Sequence, residues 1–306
     1  MNKKLQTVLS NGLNFLPGNE QQLELSILAL ALNRNILIED VPGMGKTTLV
    51  KFLAKVTGLD FRRIQFTSDL LPSDVLGVSI FQKETETFHF KQGPIFGELI
   101  LADELNRGTP KTQSALLQAM EEKFVSVDGH SHKLPDRFCL FATQNPRGQF
   151  GTFPLPESQL DRFLFKISMG HLTKEEEINL LATGSRLEML DKLTLLINRN
   201  DILEWESSIR KVETSPMLLS YVADLLHQTR AADGVIGLSP RAGLDLLDAS
   251  RGQAWLKGRD YVIPDDVQAA FPFVSGHRMF SHHSMSVSQE HGRAMEILKQ
   301  VPFVKK

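Results

Sequence analysis

Residues 39–48 read Glu-Asp-Val-Pro-Gly-Met-Gly-Lys-Thr-Thr, directly after the apolar run Ile36-Leu-Ile38. A chain has essentially one use for such a string: a buried strand stops, glycines turn the backbone, and a helix starts at the lysine. Gly43 and Gly45 let successive backbone N–H groups converge on one point, where the helix adds the positive end of its dipole. Pro42, Gly43, Met44, Gly45, Lys46, Thr47 and Thr48 therefore form a candidate cradle for phosphate oxygens. Lys46 would neutralise the β- and γ-phosphates, and Thr47 would hold Mg²⁺ through its hydroxyl. One position departs from the G-x-x-x-x-G-K-[ST] pattern: Asp40 stands where it asks for the first glycine. That position lies at the strand end, outside the tight cradle. The expectation is an altered strand exit with phosphate binding intact.

A second string, Leu99-Ile-Leu-Ala-Asp-Glu104, sets two carboxylates at the end of another apolar strand. Ligands bind at that edge in sheets of this kind. Asp103 would hold the magnesium through water, and Glu104 would polarise an attacking water, since phosphoryl transfer asks mainly for positioning and charge stabilisation. Phe141-Ala-Thr-Gln-Asn-Pro146 ends a further strand, where Asn145 can hydrogen-bond the γ-phosphate or that water. Arg162, in Leu160-Asp-Arg-Phe163, stands just before the last strand and suits an arginine supplied to another subunit. Arg241, in Leu238-Ser-Pro-Arg-Ala-Gly243, begins a later helix and is expected to reach the γ-phosphate of its own subunit.

The first half alternates apolar strands (35–39, 61–66, 99–102, 138–143, 163–168) with helical patterns, notably 46–56 and 110–122. Strands apolar nearly throughout are buried on both faces, and strand–helix alternation means a parallel sheet covered by helices. Two alternating segments, 78–90 around Lys83-Glu-Thr-Glu86 and 124–134 around Asp128-Gly129, read as β-hairpin insertions. From about 171 the pattern is helical only (174–182, 216–229, 240–253), with a His/Ser-rich stretch from Ser281 and then a weak helix. The expected domains are a nucleotide-binding core, 1–170, and a helical lid, 171–306.

The 306 residues, 42 % of them hydrophobic, suffice for two cores. A net charge of −2 argues against a general nucleic-acid binder. The lone Cys139, in an apolar run, reads as buried filler. The amino terminus has no signal-peptide pattern, and the longest apolar run, 27–32, is far short of the roughly twenty residues that span a bilayer. A cytoplasmic protein without a membrane span is expected.

Taken in order, these strings resemble the MoxR family of AAA+ ATPases over nearly the whole chain. The resemblance also rests on Arg63-Ile-Gln-Phe-Thr-Ser-Asp-Leu-Leu-Pro-Ser-Asp-Val-Leu-Gly77, Lys91-Gln-Gly-Pro-Ile-Phe96, Asp103-Glu-Leu-Asn-Arg-Gly-Thr-Pro-Lys-Thr-Gln113 and Gly151-Thr-Phe-Pro-Leu-Pro-Glu157. It implies an α/β fold: an AAA+ P-loop αβα core with a five-stranded parallel sheet, followed by an all-α lid. It implies ATP and Mg²⁺ as ligands and a ring, usually hexameric, with nucleotide sites between subunits. Asn145 takes the role called sensor 1, Arg162 the arginine finger and Arg241 sensor 2; the 78–90 hairpin becomes an insertion near the pore or partner face. Partners implied are client proteins, often alongside a protein with a von Willebrand factor A-type domain. Gly148 and Phe150 stand where the family usually carries acidic residues. Asn106 and Arg107 follow the family pattern and suggest a subunit-interface contact.

The remaining features read plainly. Asp128, His130 and His132 are solvated turn residues, and His282 and His283, being adjacent, cannot face one ion together. Asp265-Asp266 starts a helix, Lys174-Glu-Glu-Glu177 is an exposed first turn, and Phe88 and Phe90 pack on their hairpin or meet a client. The leading expectation is an ATP-hydrolysing, chaperone-like remodelling or maturation factor. The alternative is a nucleotide-gated assembly platform with slow hydrolysis. A DNA-processing AAA+ protein comes third, and a small-molecule kinase last.

Overall fold

The computed structural model describes residues 3–41, 43–146, 151–170, 173–184, 190–280 and 285–303. Pro42, Gly148, Phe150, His282 and His283 lie outside them. Two helices, α1 (Lys3–Phe15) and α2 (Glu20–Ala31), precede the first strand. Then come β1 (Ile36–Glu39), α3 (Lys46–Thr57), β2 (Phe61–Gln65), α4 (Pro72–Leu76), the hairpin β3 (Gly77–Gln82)–β4 (Thr87–Gln92), and β5 (Leu99–Asp103). Next are α5 (Pro110–Glu122), the hairpin β6 (Phe124–Val127)–β7 (His130–Lys133), β8 (Cys139–Gln144), α6 (Glu157–Leu160), β9 (Phe165–Ile167) and α7 (Lys174–Thr183). The helices α8 (Arg199–Arg210), α9 (Pro216–Ala231), α10 (Pro240–Leu256), α11 (Pro264–Met279) and α12 (Val287–Lys299) follow.

Five strands form one parallel sheet in the order β2-β5-β8-β1-β9. Successive side chains on a strand face opposite ways, so each strand feeds two apolar layers. Ile36, Ile38, Leu99, Leu101, Cys139, Phe141, Phe165 and Ile167 enter one cluster; Leu37, Ile100, Ala102, Leu140 and Ala142 enter the other. The second layer is completed by α5 through Leu116, Leu117 and Met120. The first is continuous from α1–α3 into the later helices, through Trp205, Phe271 and Ile297.

Local chemistry starts the helices where the sequence indicates. Thr109, Ser215 and Ser239 each precede a proline, and each side chain accepts the amide hydrogen three residues on. Both hairpins are present, and Asp128 (φ 50°) and Gly129 (φ 79°) have the paired positive φ of a type I′ turn. Asp266 does start α11, as expected, but it is also fully buried. It accepts from Arg259 at 2.6 and 2.7 Å, from Lys257 at 3.0 Å and from the Ile263 amide. Cys139 is buried, and desolvation pushes its thiol up to about 12.

Buried ion pairs fasten the last helices to the sheet. Lys166 on β9 lies 3.1 Å from Glu39 on β1 and 2.9 Å from Glu290 on α12, all three buried. Lys166→Met would leave both carboxylates buried without their cation and is expected to cost about 3–5 kcal/mol, read as a shifted urea midpoint. His277 on α11 is buried against the Phe163 carbonyl and its pKa is held well below the ordinary histidine value, chiefly by desolvation; burial takes His291 down to about 4. Both rings stay neutral in the fold but take up protons in the unfolded chain as pH drops below about 6.5. Their stabilisation is complete above that pH and declines below it, by about 1.4 kcal/mol per pH unit for each ring while its folded form stays neutral. Urea midpoints should therefore fall steeply between pH 6.5 and 4; a flat profile would contradict this.

Candidate active site

The parallel sheet places the carboxyl ends of β1, β5 and β8 side by side, and the expected nucleotide residues sit there. Gly43 (φ 89°) and Gly45 (φ 83°) adopt left-handed backbone, and Gly45 caps α3. A Cβ on Gly43 would meet nothing within 4 Å, so the positive φ rather than crowding demands glycine. Met44 packs partly against the core. Thr47 and Thr48 occupy the first turn of α3, half-buried. Lys46 is buried, and its Nζ donates to the Asp40 carbonyl at 2.5 Å. Burial lowers its pKa, opposed by Asp40, Asp103, Glu104 and Glu39. The loop lysine and the acidic pair thus lie close enough to act on one another.

Asp40 has an ordinary backbone, and its carboxylate explains its presence. Its Oδ2 accepts from Ser168 Oγ (2.9 Å), Met169 N (2.7 Å) and Gly170 N (3.3 Å), and its Oδ1 from Val41 N (3.2 Å). The residue pins the strand exit to the segment leaving β9. At the strand exit Asp40 thus acts as a carboxylate staple.

Asp103 accepts from Thr143 Oγ1 at 2.7 Å and pairs with Arg63 Nη2 at 2.6 Å. Thr143 in turn accepts from Glu104 N at 2.9 Å. Glu104 holds a left-handed backbone (φ 54°, ψ 45°), a conformation worth storing strain for at a site, and its carboxylate pairs with Arg107 at 2.9 Å. Asn145 is 1 % exposed. Its backbone N–H donates to Asn106 Oδ1 at 3.2 Å while Asn106 Nδ2 donates to its carbonyl at 3.0 Å. Asn106 is therefore a buried brace for Asn145, where the sequence had suggested an interface contact. The Asn145 side-chain Nδ2 is buried with no partner among the described residues, a donor held ready for an acceptor.

Arg162 lies elsewhere. It precedes β9, and Ile36 pairs with Phe165, so Arg162 sits at the amino-terminal edge of the sheet, opposite the phosphate loop. Arg241 lies beside it: Arg162 Nη2 is 2.6 Å from Glu121 Oε2, and Arg241 Nη1 is 3.1 Å from Glu121 Oε1. Glu121 lies in the last turn of α5, which runs back from the carboxyl ends; the next residue but one, Lys123, reaches the Phe138 carbonyl just before β8. This corrects the expectation for Arg241. In this arrangement it does not approach the phosphate loop of its own subunit, because its partner carboxylate lies at the far edge.

The strings quoted above gave the loop, the acidic pair and Asn145. They did not single out Thr143, Arg63 or Glu121. The usable signal for Thr143 is register: Ala102 pairs with Ala142, which puts the next residue of each strand side by side.

Residues 35–165 match the ATPase family associated with various cellular activities (AAA), and residues 228–301 match the AAA lid domain. Chaperone MoxR1 of Mycobacterium tuberculosis is 38 % identical over 86 % of this chain and 72 % of its own length. The chain belongs to the MoxR family of AAA+ ATPases. Protein MoxR of Methylorubrum extorquens is 28 % identical, with 86 % and 83 % covered. Protein YeaC of Bacillus subtilis is 48 % identical, with 84 % and 81 % covered. The crystal structure of a Cytophaga hutchinsonii protein assigned as an ATPase superposes with a TM-score of 0.85 at 35 % identity, covering 99 % of this chain and 95 % of that one. The MoxR assignment agrees with the five-stranded sheet and the helices that follow it. Among the described residues no helix is long and apolar enough to cross a membrane.

Proposed function

We propose that the protein assembles into a ring, hexameric as in the family at large, and hydrolyses ATP to ADP and phosphate to remodel or mature client proteins. One observation carries the catalytic part: Lys46, Asp103, Glu104 and Asn145 converge at one sheet edge while Arg162 and Arg241 stand at the other. Each subunit then offers a nucleotide face and an arginine face, and the site is completed between copies. The client role draws support from the name of the mycobacterial relative, a chaperone. The exposed Phe81–Phe88 pair on the first hairpin adds an apolar surface, with ring centroids 5.3 Å apart and Phe88 73 % exposed. A von Willebrand factor A-type partner and a lid formed by residues 171–306 belong to the same reading.

The residues fit the chemistry. The backbone of Gly43–Lys46 and the Lys46 ammonium would bind the phosphates, and buried Asn145 Nδ2 would orient the γ-phosphate or the attacking water. Magnesium held by Thr47 and, through water, by Asp103 would neutralise charge on the β- and γ-phosphates. Glu104 would accept the proton of the attacking water once Arg107 releases its carboxylate.

That same pairing favours a second reading. With Glu104 held by Arg107 and Asp103 by Arg63, both acids carry cationic partners that must yield for catalysis, which suits slow, gated turnover. Phosphate release by the protein alone and with a client separates the two. Glu104→Gln is expected to keep ATP affinity and lose roughly a hundredfold or more in turnover. Undiminished hydrolysis in that variant would remove Glu104 from its role. In the ATP-loaded state, the same variant is the bait of choice for clients.

A further inference from the structure

Resting on the between-subunit reading above, we infer that Glu121 is a positioning residue that yokes Arg162 and Arg241 into one two-pronged clamp for the neighbouring subunit's γ-phosphate.

Two guanidiniums repel at close range, and long arginine side chains lose entropy when fixed. Glu121 offsets both by giving one carboxylate oxygen to each: Oε2 to Arg162 Nη2 at 2.6 Å and Oε1 to Arg241 Nη1 at 3.1 Å. A carboxylate and a phosphate present oxygens to arginine in much the same way, so Glu121 holds the two prongs at a spacing that suits a phosphate. The contact engages one nitrogen of each guanidinium, and arginine carries five N–H donors. Donors remain for the incoming phosphate.

The roots of the two prongs are tied together independently of their tips. Arg278 on α11 is buried and grips Asp161, next to Arg162, with Nε at 2.9 Å from Oδ1 and Nη2 at 3.1 Å from the carbonyl. The same guanidinium donates to Asp245 Oδ2 at 2.5 Å, and Asp245 lies one turn beyond Arg241 on α10. Arg278 also reaches the Phe163 carbonyl at 3.1 Å. A turn of the αβα core and a helix of the later half thus form one rigid unit, joined below by Arg278 and at the tips by Glu121. This joint makes the arginine face sensitive to how the last helices sit. An exposed ion pair contributes little stability; Glu121 has 41 % of its side chain exposed, so its part is geometric.

The test is Glu121→Gln, which keeps the shape, removes the charge and, at an exposed position, leaves the fold intact. Its turnover should fall about tenfold while ATP affinity stays as in the wild type, because the loss is in positioning at a remote edge. Glu121→Gln subunits should regain activity when mixed with Lys46→Ala subunits, which bring intact clamps. They should not regain it with Arg162→Ala subunits, whose clamps are broken too. A merely destabilised chain would respond to neither partner. Wild-type turnover in Glu121→Gln would overturn the inference. So would rescue of Arg162→Ala by Lys46→Ala without rescue of Glu121→Gln, which would leave the shared site standing. Failure of the Arg162→Ala pair itself would overturn the shared site and this inference with it.

Discussion

Lys46→Ala is expected to weaken ATP binding at least roughly a hundredfold, and to abolish turnover with it. Truncating one partner of a buried, hydrogen-bonded charge pair costs about 2–5 kcal/mol, and each 1.4 kcal/mol is tenfold in affinity. The surroundings push toward the upper end. Glu39, Asp40, Asp103 and Glu104 all act on the Lys46 ammonium, so its removal leaves an acidic pocket facing a triphosphate. The lysine is buried and already desolvated, so no solvent reorganisation weakens its grip when phosphate arrives. Titration with a fluorescent ATP analogue reads the effect, with magnesium held constant. Retained tight binding would sink the phosphate-loop assignment; the arginines beside the acidic pair are already engaged, Arg63 on Asp103 and Arg107 on Glu104.

Arg162→Ala should show the opposite split. Turnover is expected to fall by about 10³-fold, the scale of an arginine finger, with ATP affinity unchanged. The reason is position. Arg162 stands at the amino-terminal edge of the sheet, three residues before Phe165, while the phosphate loop follows the carboxyl end of β1. β1 has four residues, so the strand alone separates the two by roughly 13 Å at about 3.3 Å per residue. On the proposed reading, a side chain placed there serves another subunit. Single-turnover phosphate release beside equilibrium ATP binding checks the split; lost binding in Arg162→Ala would contradict it.

How much was legible in advance depended on how local each signal was. The inner strands are legible because both faces of the sheet are covered there, making runs such as Leu99-Ile-Leu-Ala apolar at every position, whereas edge strand β2 carries exposed Arg62 and Arg63. The hairpin turn at Asp128-Gly129 showed because only certain residues tolerate paired positive φ. By contrast, α2 was missed: Leu25, Ser26, Ile27, Leu28, Ala29 and Leu30 are all buried, so no polar face marks a helical period. The helix α1 carries that period in Leu5, Val8, Leu9 and Gly12, and α8 carries a capping box between Asn198 and Asp201, though neither is among the helices expected from the sequence. His132 was expected to be a solvated turn residue, but it stacks on Phe90 of the other hairpin at 3.7 Å between centroids.

At the site, contiguous strings were readable and distant partnerships were not. Asp40 could be seen as an odd residue, but its partners Ser168, Met169 and Gly170 come from the far end of the core. Asn145 could be named, but its brace Asn106 depends on two strands ending side by side. Arg241 stands out in its string, but nothing in the residues around it reveals Glu121, near the end of α5, as the carboxylate that holds it.

On the proposed reading, a working site needs two copies of this chain. Mixing Arg162→Ala subunits, intact at the phosphate loop, with Lys46→Ala subunits, intact at the arginine face, tests it most directly. ATPase activity should be near zero for either variant alone and should rise to a maximum near equal proportions, where mixed neighbours are most frequent. Activity that stays near zero at every ratio, in assemblies shown to contain both variants, would contradict the account.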